Sequence, residues 1–338
     1  MEVPSKKRLS TGKRIAAIAV SVVMVLILAT AGFGFWYTSQ LDKALSLGED
    51  HIAIKNALTA SDLNKPFYAL LIGSDSREGS GTSNRADESG DNQRSDVMIL
   101  VRVDAPNRQF TMVSIPRDTR YTWPDGHVTK LNEVYNHGGS AATLSAVSEV
   151  TGVPISHFAE VSFSNFESIV DALGGIEVDV PVAISYKDAL TGETVSLEPG
   201  VQVINGQEAQ LFARARHEYG DNQDAKRQSN NRQMIEAIAR ATLSQPPTEL
   251  PGTILELASF VKTDVKSSDL LSLGISFASG AGGMTVYSCT GPTQGAVDES
   301  VGLWLCYENP EGWAKLMSVV DSGADPKDVD VESTAIIP

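Results

Sequence analysis

Ile15 to Tyr37, IAAIAVSVVMVLILATAGFGFWY, is an apolar run with Ser21 and Thr30 as its only polar side chains. As a helix it is long enough to cross a hydrocarbon core of roughly 30 Å. Its end, Phe35-Trp36-Tyr37, has the character of an interfacial aromatic belt, and the Lys and Arg residues before Ile15 place the N-terminus in the cytoplasm. Ala29-Thr30-Ala31 offers a small-residue cleavage site, so a cleaved signal peptide is the alternative; the continuation of the run to Tyr37 favours an uncleaved anchor. Residues 38–61 are polar-amphipathic and read as a helical stalk. In either case the bulk of the chain is extracytoplasmic, at the outer face of the cell membrane.

Beyond the stalk the period of the pattern changes. Tyr68 to Ile72 reads as a buried strand that runs into a Gly-Ser turn with Asp75 just past it. Val97 to Asp104 is a second strand, Ala105-Pro106-Asn107 a turn, and QFTMVSIP a returning third strand, which predicts a hairpin. The stretch between Arg77 and Arg94 is too polar and too rich in Gly and Ser for a core and reads as a mobile loop. Helical spacing follows. Ser140 can cap a helix ending near Gly152, and Ser164 to Glu167 has capping-box spacing for a helix through Ile169, Val170 and Leu173 that stops at Gly174-Gly175. IEVDV reads as a strand closed by Pro181, Asn205 caps a helix carrying Ala209, Leu211 and Phe212, and a long helix spans Asp224 to Leu243. Intermingled strands and helices predict a single α/β domain with a central mixed sheet over residues 62–322. Residues 323–338 read as an acidic, disordered tail.

Charge sharpens this picture. Residues 1–14 carry Lys6, Lys7, Arg8, Lys13 and Arg14 against Glu2 alone, a net of +4, so the rest of a chain with formal charge −15 carries −19. Such a surface excludes nucleic acid as a partner, because phosphate-backbone binding needs a basic face. The two cysteines, Cys289 and Cys306, form an exported pair for which a disulfide is expected.

Against that acidic background, arginines gather where strands end. Ser114 to Arg120, SIPRDTR, places Arg117 and Asp118 after the third strand; Arg94-Ser95-Asp96 stands before the second; Asp75 follows the first. If these strands pair, the groups converge at one sheet edge, where open α/β sheets present their sites. ARARHEYGDNQDAKR adds Arg214, Arg216 and Arg227. Arg214 and Arg216 share a face only if that stretch is extended; on a helix they diverge by about 200°. Multiple arginines fit phosphate, since the planar fork donates two parallel hydrogen bonds and keeps its charge. Paired aspartates fit Mg²⁺, which takes one or two carboxylates together with phosphate oxygens. Structural Arg–Asp salt bridges are the plainer explanation of each cluster alone. No phosphate-binding glycine loop, Gly-x-Ser-x-Gly elbow or His-x-x-x-His pair is present.

Gly73-Ser74-Asp75-Ser76-Arg77, Arg94-Ser95-Asp96, Ile115-Pro116-Arg117-Asp118, Lys130-Leu131-Asn132, Val170 to Gly175 and Arg214-Ala215-Arg216-His217 together resemble the LytR-CpsA-Psr family. The resemblance covers roughly residues 66–243. It implies an α-β-α domain and a membrane-anchored, Mg²⁺-dependent phosphotransferase that moves a glycopolymer from a polyprenyl-diphosphate carrier to peptidoglycan. By the same resemblance Asp75 and Asp96 lie on the metal side, Arg94, Arg117, Arg214, Arg216 and Arg227 bind the diphosphate, and the lipid enters an apolar pocket. Arg117 is the first candidate for an essential residue, with Asp75 beside it, and Asp118 is the candidate general base. Phe163, Val170 and Leu173 are candidates for the lipid pocket, with core packing as the alternative for each.

Two features depart from the family pattern. Asn230 and Asn231 stand where it has Arg and Gln, leaving one cation missing or replaced by Arg232, and the loop 78–93 widens the gap between Asp75 and Asp96. A non-catalytic sensor or regulator that retains the carrier, or a hydrolase of it, is therefore the alternative to a transferase.

Overall fold

The computed structural model describes Ser39 and residues 51–74, 95–187, 194–220, 223–278 and 283–332. The expected tail and anchor (1–37), the polar loop 78–93, Asp75 and Arg94 lie outside the described residues, and no helix among the described residues is long and apolar enough to cross a membrane.

The helix α1 (His51–Ala57) leads into β1 (Phe67–Ser74), β2 (Ser95–Asp104) and β3 (Gln109–Ser114). The short hairpin β4 (Arg120–Thr122) and β5 (Val128–Lys130) precedes α2 (Val134–Thr151), β6 (His157–Ser162) and α3 (Phe163–Ala172). Next come β7 (Ile176–Val180), β8 (Ile184–Lys187), β9 (Thr194–Leu197), β10 (Gly200–Ile204) and α4 (Gly206–Arg214). The long α5 (Gln223–Leu243), α6 (Leu250–Ala258), β11 (Lys262–Thr263) and α7 (Ser267–Ala278) follow, and β12 (Thr285–Thr290), β13 (Gly295–Asp298), β14 (Leu303–Cys306) and α8 (Pro310–Asp321) close the chain.

Six strands form the central sheet in the order β11-β6-β1-β2-β3-β12. The sheet is mixed: β2–β3 is the antiparallel hairpin predicted from the pattern, β1 pairs antiparallel with β2, and β6 and β12 join in parallel. Side-chain alternation divides its faces. Leu70, Ile72, Met98, Leu100 and Val113 pack against α1, α2 and α8, through Ile54, Leu144, Trp313 and Leu316. Ile99, Val101, Val103 and Met112 pack on the other side against α5 and α7, through Ile235, Leu243, Leu273 and Phe277. These faces make an α-β-α sandwich, each face of the sheet removing its apolar set from water. A satellite core joins α3, β7, β10 and α4 around Val170, Ile176, Ile204 and Phe212.

Several boundaries differ from expectation for local reasons. Ser162, not Ser164, caps α3, accepting from the Asn165 N–H at 3.2 Å. The helix before Gly152 starts at Val134, with Ser140 inside it and non-helical backbone at Gly138 and Gly139. Asn205 does cap α4, in a reciprocal capping box with Glu208. The last part of the expected stalk belongs to the folded domain: Ile54 is fully buried and the Thr59 N–H donates to Ile155 O. The tail beyond 322 is likewise folded through Glu332, whose carboxylate accepts the N–H groups of Thr293 (2.6 Å) and Gln294 (3.0 Å), while Val331 O accepts from the buried Asn309 amide.

One irregularity shapes the sheet edge. The β1–β2 register shifts between Gly73 and Ser74, so that Ser74 faces Ser95. A Cβ on Gly73 would lie 2.9 Å from Val97 Cβ, so the strands pass too closely there for any other residue. Asp96, the second residue of β2, emerges beside that shift.

Candidate functional site

The segment after β3 is fixed on several sides by its own backbone. The Ile115 N–H donates to Met98 O, Thr119 N–H and Oγ1 both donate to Pro116 O, and Arg117 O accepts from the Asn132 N–H at 3.1 Å. Asp118 O accepts from the Cys306 N–H at 2.8 Å. With Pro116 restricting φ, the side chains of Arg117 and Asp118 project from a rigid turn.

Arg117 Nη1 lies 2.8 Å from Asp96 Oδ1, and its Nε lies 3.7 Å from Asp118 Oδ2. Lys130 Nζ holds the other oxygen, Asp118 Oδ1, at 2.7 Å. From α5, Arg227 Nη1 donates to Asp96 O at 3.1 Å, while its Nη2 reaches Asp224 Oδ1 at 2.9 Å. Arg216 Nη2 meets the same Oδ1 at 2.7 Å, and Gln228 Nε2 donates to Oδ2 at 2.7 Å. Five separate pieces of chain therefore bring Asp96, Arg117, Asp118, Lys130, Arg216, Asp224 and Arg227 into one network.

The electrostatics follow from this crowding. Burial works against the charge of Asp224, but Arg227, Gln228 and Arg216 outweigh it and hold the carboxyl below its ordinary value. Burial pulls the Arg227 guanidinium down; Asp224 opposes that, and the nearby charges of Arg117 and Arg216 reinforce it. Burial also opposes Arg117, where Asp96, Asp118 and Asp224 prevail and raise its value. Among the described residues, Nε of Arg117 and Nε of Arg216 are buried without hydrogen-bond partners. Three guanidiniums that sense one another, with donors still unused, form a place where a multiply charged oxyanion gains several charge-assisted hydrogen bonds at once.

Other expected residues fall elsewhere. The α4 helix ends at Arg214, whose guanidinium sits 5.0 Å over the Phe163 ring, whereas Ala215 leaves the helix and turns Arg216 towards Asp224. The extended alternative thus holds only from Ala215 onwards, and Arg214 makes no ion pair with the cluster. Val170 is fully buried among Ile176, Ile204 and Phe212, Leu173 packs at the edge of that core, and Phe163 lies under the Arg214 guanidinium, away from the cluster. The expected disulfide is not formed. Cys289 pairs with Val113 inside the central sheet and Cys306 lies on β14 beside Thr119; both are free, and burial pushes each thiol up to about 12.

The departures from the family pattern have structural uses. The Asn230 amide donates to Phe212 O at 3.0 Å and to the Tyr219 hydroxyl at 2.6 Å, joining α5 to α4. Asn231 lines a narrow recess with Asp96, Ile115 and Arg227. Arg232 is buried and donates to Ser114 Oγ (2.6 Å) and Thr290 Oγ1 (2.9 Å), so it joins the ends of β3 and β12 and makes no ion pair with the cluster. Sequence reasoning gave no role to Asp224, the shared counter-ion. Its signal was its place three residues before Arg227 on one helix face.

Comparison with known proteins bears on this arrangement. The LytR_cpsA_psr family model matches residues 36–306. The polyisoprenyl-teichoic acid–peptidoglycan teichoic acid transferase TagU of Enterococcus faecalis is 30% identical over 280 residues, 81% of this chain and 86% of that protein. The protein of the same name from Bacillus licheniformis is 36% identical over 179 residues, 52% of each chain. The crystal structure of Bacillus subtilis TagV superposes with a TM-score of 0.62 at 26% identity, covering 77% of this chain and 97% of that one.

Proposed function

The chain belongs to the LytR_cpsA_psr family, and on that premise we propose that it is a membrane-anchored, Mg²⁺-dependent phosphotransferase. It takes a glycopolymer from a polyprenyl-diphosphate carrier and joins it to peptidoglycan. The observation that carries this reading is the convergence of Arg117, Arg216 and Arg227 around Asp96 and Asp224.

In this reading the three guanidiniums bind the diphosphate and stabilise charge that builds on its oxygens as the bond to phosphorus breaks. Asp118 lies next to Arg117 and is oriented by Lys130, where it can take the proton of an attacking acceptor hydroxyl. That hydroxyl attacks the phosphorus nearer the glycopolymer, and polyprenyl phosphate leaves. An anchor at residues 15–37 would keep the domain at the bilayer that holds the carrier.

The donor set fits Mg²⁺ in one specific way. Among the described residues no group of three His, Cys, Asp or Glu side chains could hold a metal ion, so a protein-only cage is absent there. Asp96 is a partly exposed carboxylate beside the arginines and would hold Mg²⁺ jointly with diphosphate oxygens; Asp75, next in the chain after Ser74, is its proposed companion. Bound there, the ion would supply neutralisation of diphosphate charge.

A domain that retains the carrier without transferring is the second reading, and the observation favouring it is the absence of a cation at Asn230 and Asn231. One experiment separates the two. The full chain in detergent micelles is given Mg²⁺, a short-chain polyprenyl-diphosphate saccharide and peptidoglycan, and compared with Arg117→Ala. Covalent transfer lost in the variant supports the transferase. Binding of the lipid with neither transfer nor cleavage sinks it, and accumulation of free sugar phosphate alone indicates hydrolysis.

A further inference from the structure

The β13–β14 hairpin is stitched to the segment that carries Arg117 and Asp118. The Cys306 N–H donates to Asp118 O at 2.8 Å, Thr119 and Cys306 form a parallel bridge, and Arg120 reaches Asp298 (3.5 Å) and Glu308. One face of the hairpin turns inward: Leu305 is buried, and Asp298, on the same side, meets Arg120. The other face is open. Val297 and Trp304 are cross-strand partners on it, 59% and 44% exposed, and Val301 at the hairpin turn is 37% exposed.

This apolar face is continuous with the candidate site. Cys306 lies two residues from Trp304 on the same side of β14, about 7 Å along the strand. The Cys306 N–H donates to Asp118 O, so the strand leads from Trp304 to the edge of the arginine network. An exposed aromatic with an aliphatic partner, rimmed by polar groups, is the kind of patch that marks a binding surface. Glu299, Glu308 and Glu311 are exposed carboxylates that flank it in sequence, Glu308 paired with Arg120. Those carboxylates repel an anionic membrane surface and an anionic donor polymer, and they accept hydrogen bonds from hydroxyl and amide groups.

We propose that the open face of this hairpin, Trp304 beside Val297, binds the acceptor glycan strand, an uncharged sugar face stacking on the indole while the next sugar presents its hydroxyl to Asp118. The inference rests on the transferase reading and names the partner side of the same site. It places the acceptor on the Asp118 side of the network.

The test uses the full chain in detergent micelles, titrated with purified peptide-free glycan strands and, separately, with vesicles of anionic and zwitterionic phospholipid. Trp304→Ala is expected to weaken glycan binding about tenfold, while Trp304→Tyr stays near wild type. Val297→Ser, at a more exposed position, gives a milder loss and guards against a folding defect, which a thermal melt of each variant would reveal. Equal glycan binding by wild type and Trp304→Ala overturns the proposal, as does absence of glycan binding by the wild type. Loss of vesicle binding with glycan binding intact also overturns it and makes the hairpin a membrane contact. The two readings fail separately. Glycan binding through Trp304 with no transfer sinks only the transferase, whereas transfer with an unchanged acceptor KM in Trp304→Ala sinks only the acceptor surface.

Discussion

Asp224→Asn removes one charge and almost no volume from the centre of the arginine network. In the wild type, Asp224 Oδ1 receives Arg216 at 2.7 Å and Arg227 at 2.9 Å. The Arg227 side chain is only 7% exposed, close to the buried limit at which removing one partner of a pair costs about 3–5 kcal/mol. Arg216 is 32% exposed and its pair is worth about 0–1 kcal/mol after solvent screening. An asparagine still accepts hydrogen bonds, so the net loss is about 2–3 kcal/mol, a fall in Tm of roughly 4–10 °C for a domain of this size. Ligand binding moves the opposite way. With their carboxylate neutralised, Arg216 and Arg227 are released to an incoming anion, so inorganic pyrophosphate binds the variant more tightly. A tenfold gain restores about 1.4 kcal/mol at saturation. The assay is a thermal melt of both proteins across a pyrophosphate series, with Mg²⁺ absent so that only the arginines are tested. The reasoning is refuted if Asp224→Asn melts with the wild type, or if pyrophosphate raises both melting temperatures equally.

Other consequences are quickly measured. Arg117→Ala should lower transfer by about 10²–10³ while leaving the melting temperature within a few degrees, because Arg117 contributes charge at the transition state and is partly exposed. Acid should weaken the fold through Asp104 and Asp224, both held below the ordinary carboxyl value. Their stabilisation is complete above the unfolded pKa of about 4 and is lost as pH falls through the folded values, so Asp224→Asn should show a shallower acid limb in urea midpoints between pH 5 and 3. Gly291→Ala should destabilise by about 1–3 kcal/mol in chemical denaturation, since the new methyl would lie 2.0 Å from the rigid Trp313 ring. Both thiols should be unreactive to a thiol reagent in the native protein and titrate as two per chain after unfolding; a single disulfide in a non-reducing mass map would contradict the free pair.

What the sequence revealed and what it hid divide along physical lines. The β2–β3 hairpin was readable because its alternation and its Ala-Pro-Asn turn act within a few residues, and so was the Asn205 cap, whose partner Glu208 is three residues away. The parallel additions of β6 and β12 were not, since their pairing joins Tyr287 to Thr111 and Leu71 to Ala159 across long intervening chain. Within the site, arginines announced themselves by charge in an acidic chain, but their sorting depended on how α4 ends. One non-helical residue, Ala215, sends Arg214 to the Phe163 ring and Arg216 to Asp224. The cysteines misled because composition signals export and says nothing about which strand each thiol joins.

That sorting also explains how a basic site survives in a chain of formal charge −15. Arg117, Arg216 and Arg227 stand against Asp96 and Asp224, and Asp118 is matched by Lys130, so the network is left with a single surplus positive charge. A small monoanion gains little there, because it must displace a carboxylate already within hydrogen-bond distance of each guanidinium. An anion broad enough to contact several guanidiniums together can outcompete both aspartates without breaking every existing pair. The aspartates therefore weaken anion binding in general and restrict entry to oxyanions with more than one charged group. A diphosphate meets that requirement by its chemistry, whichever polymer it carries.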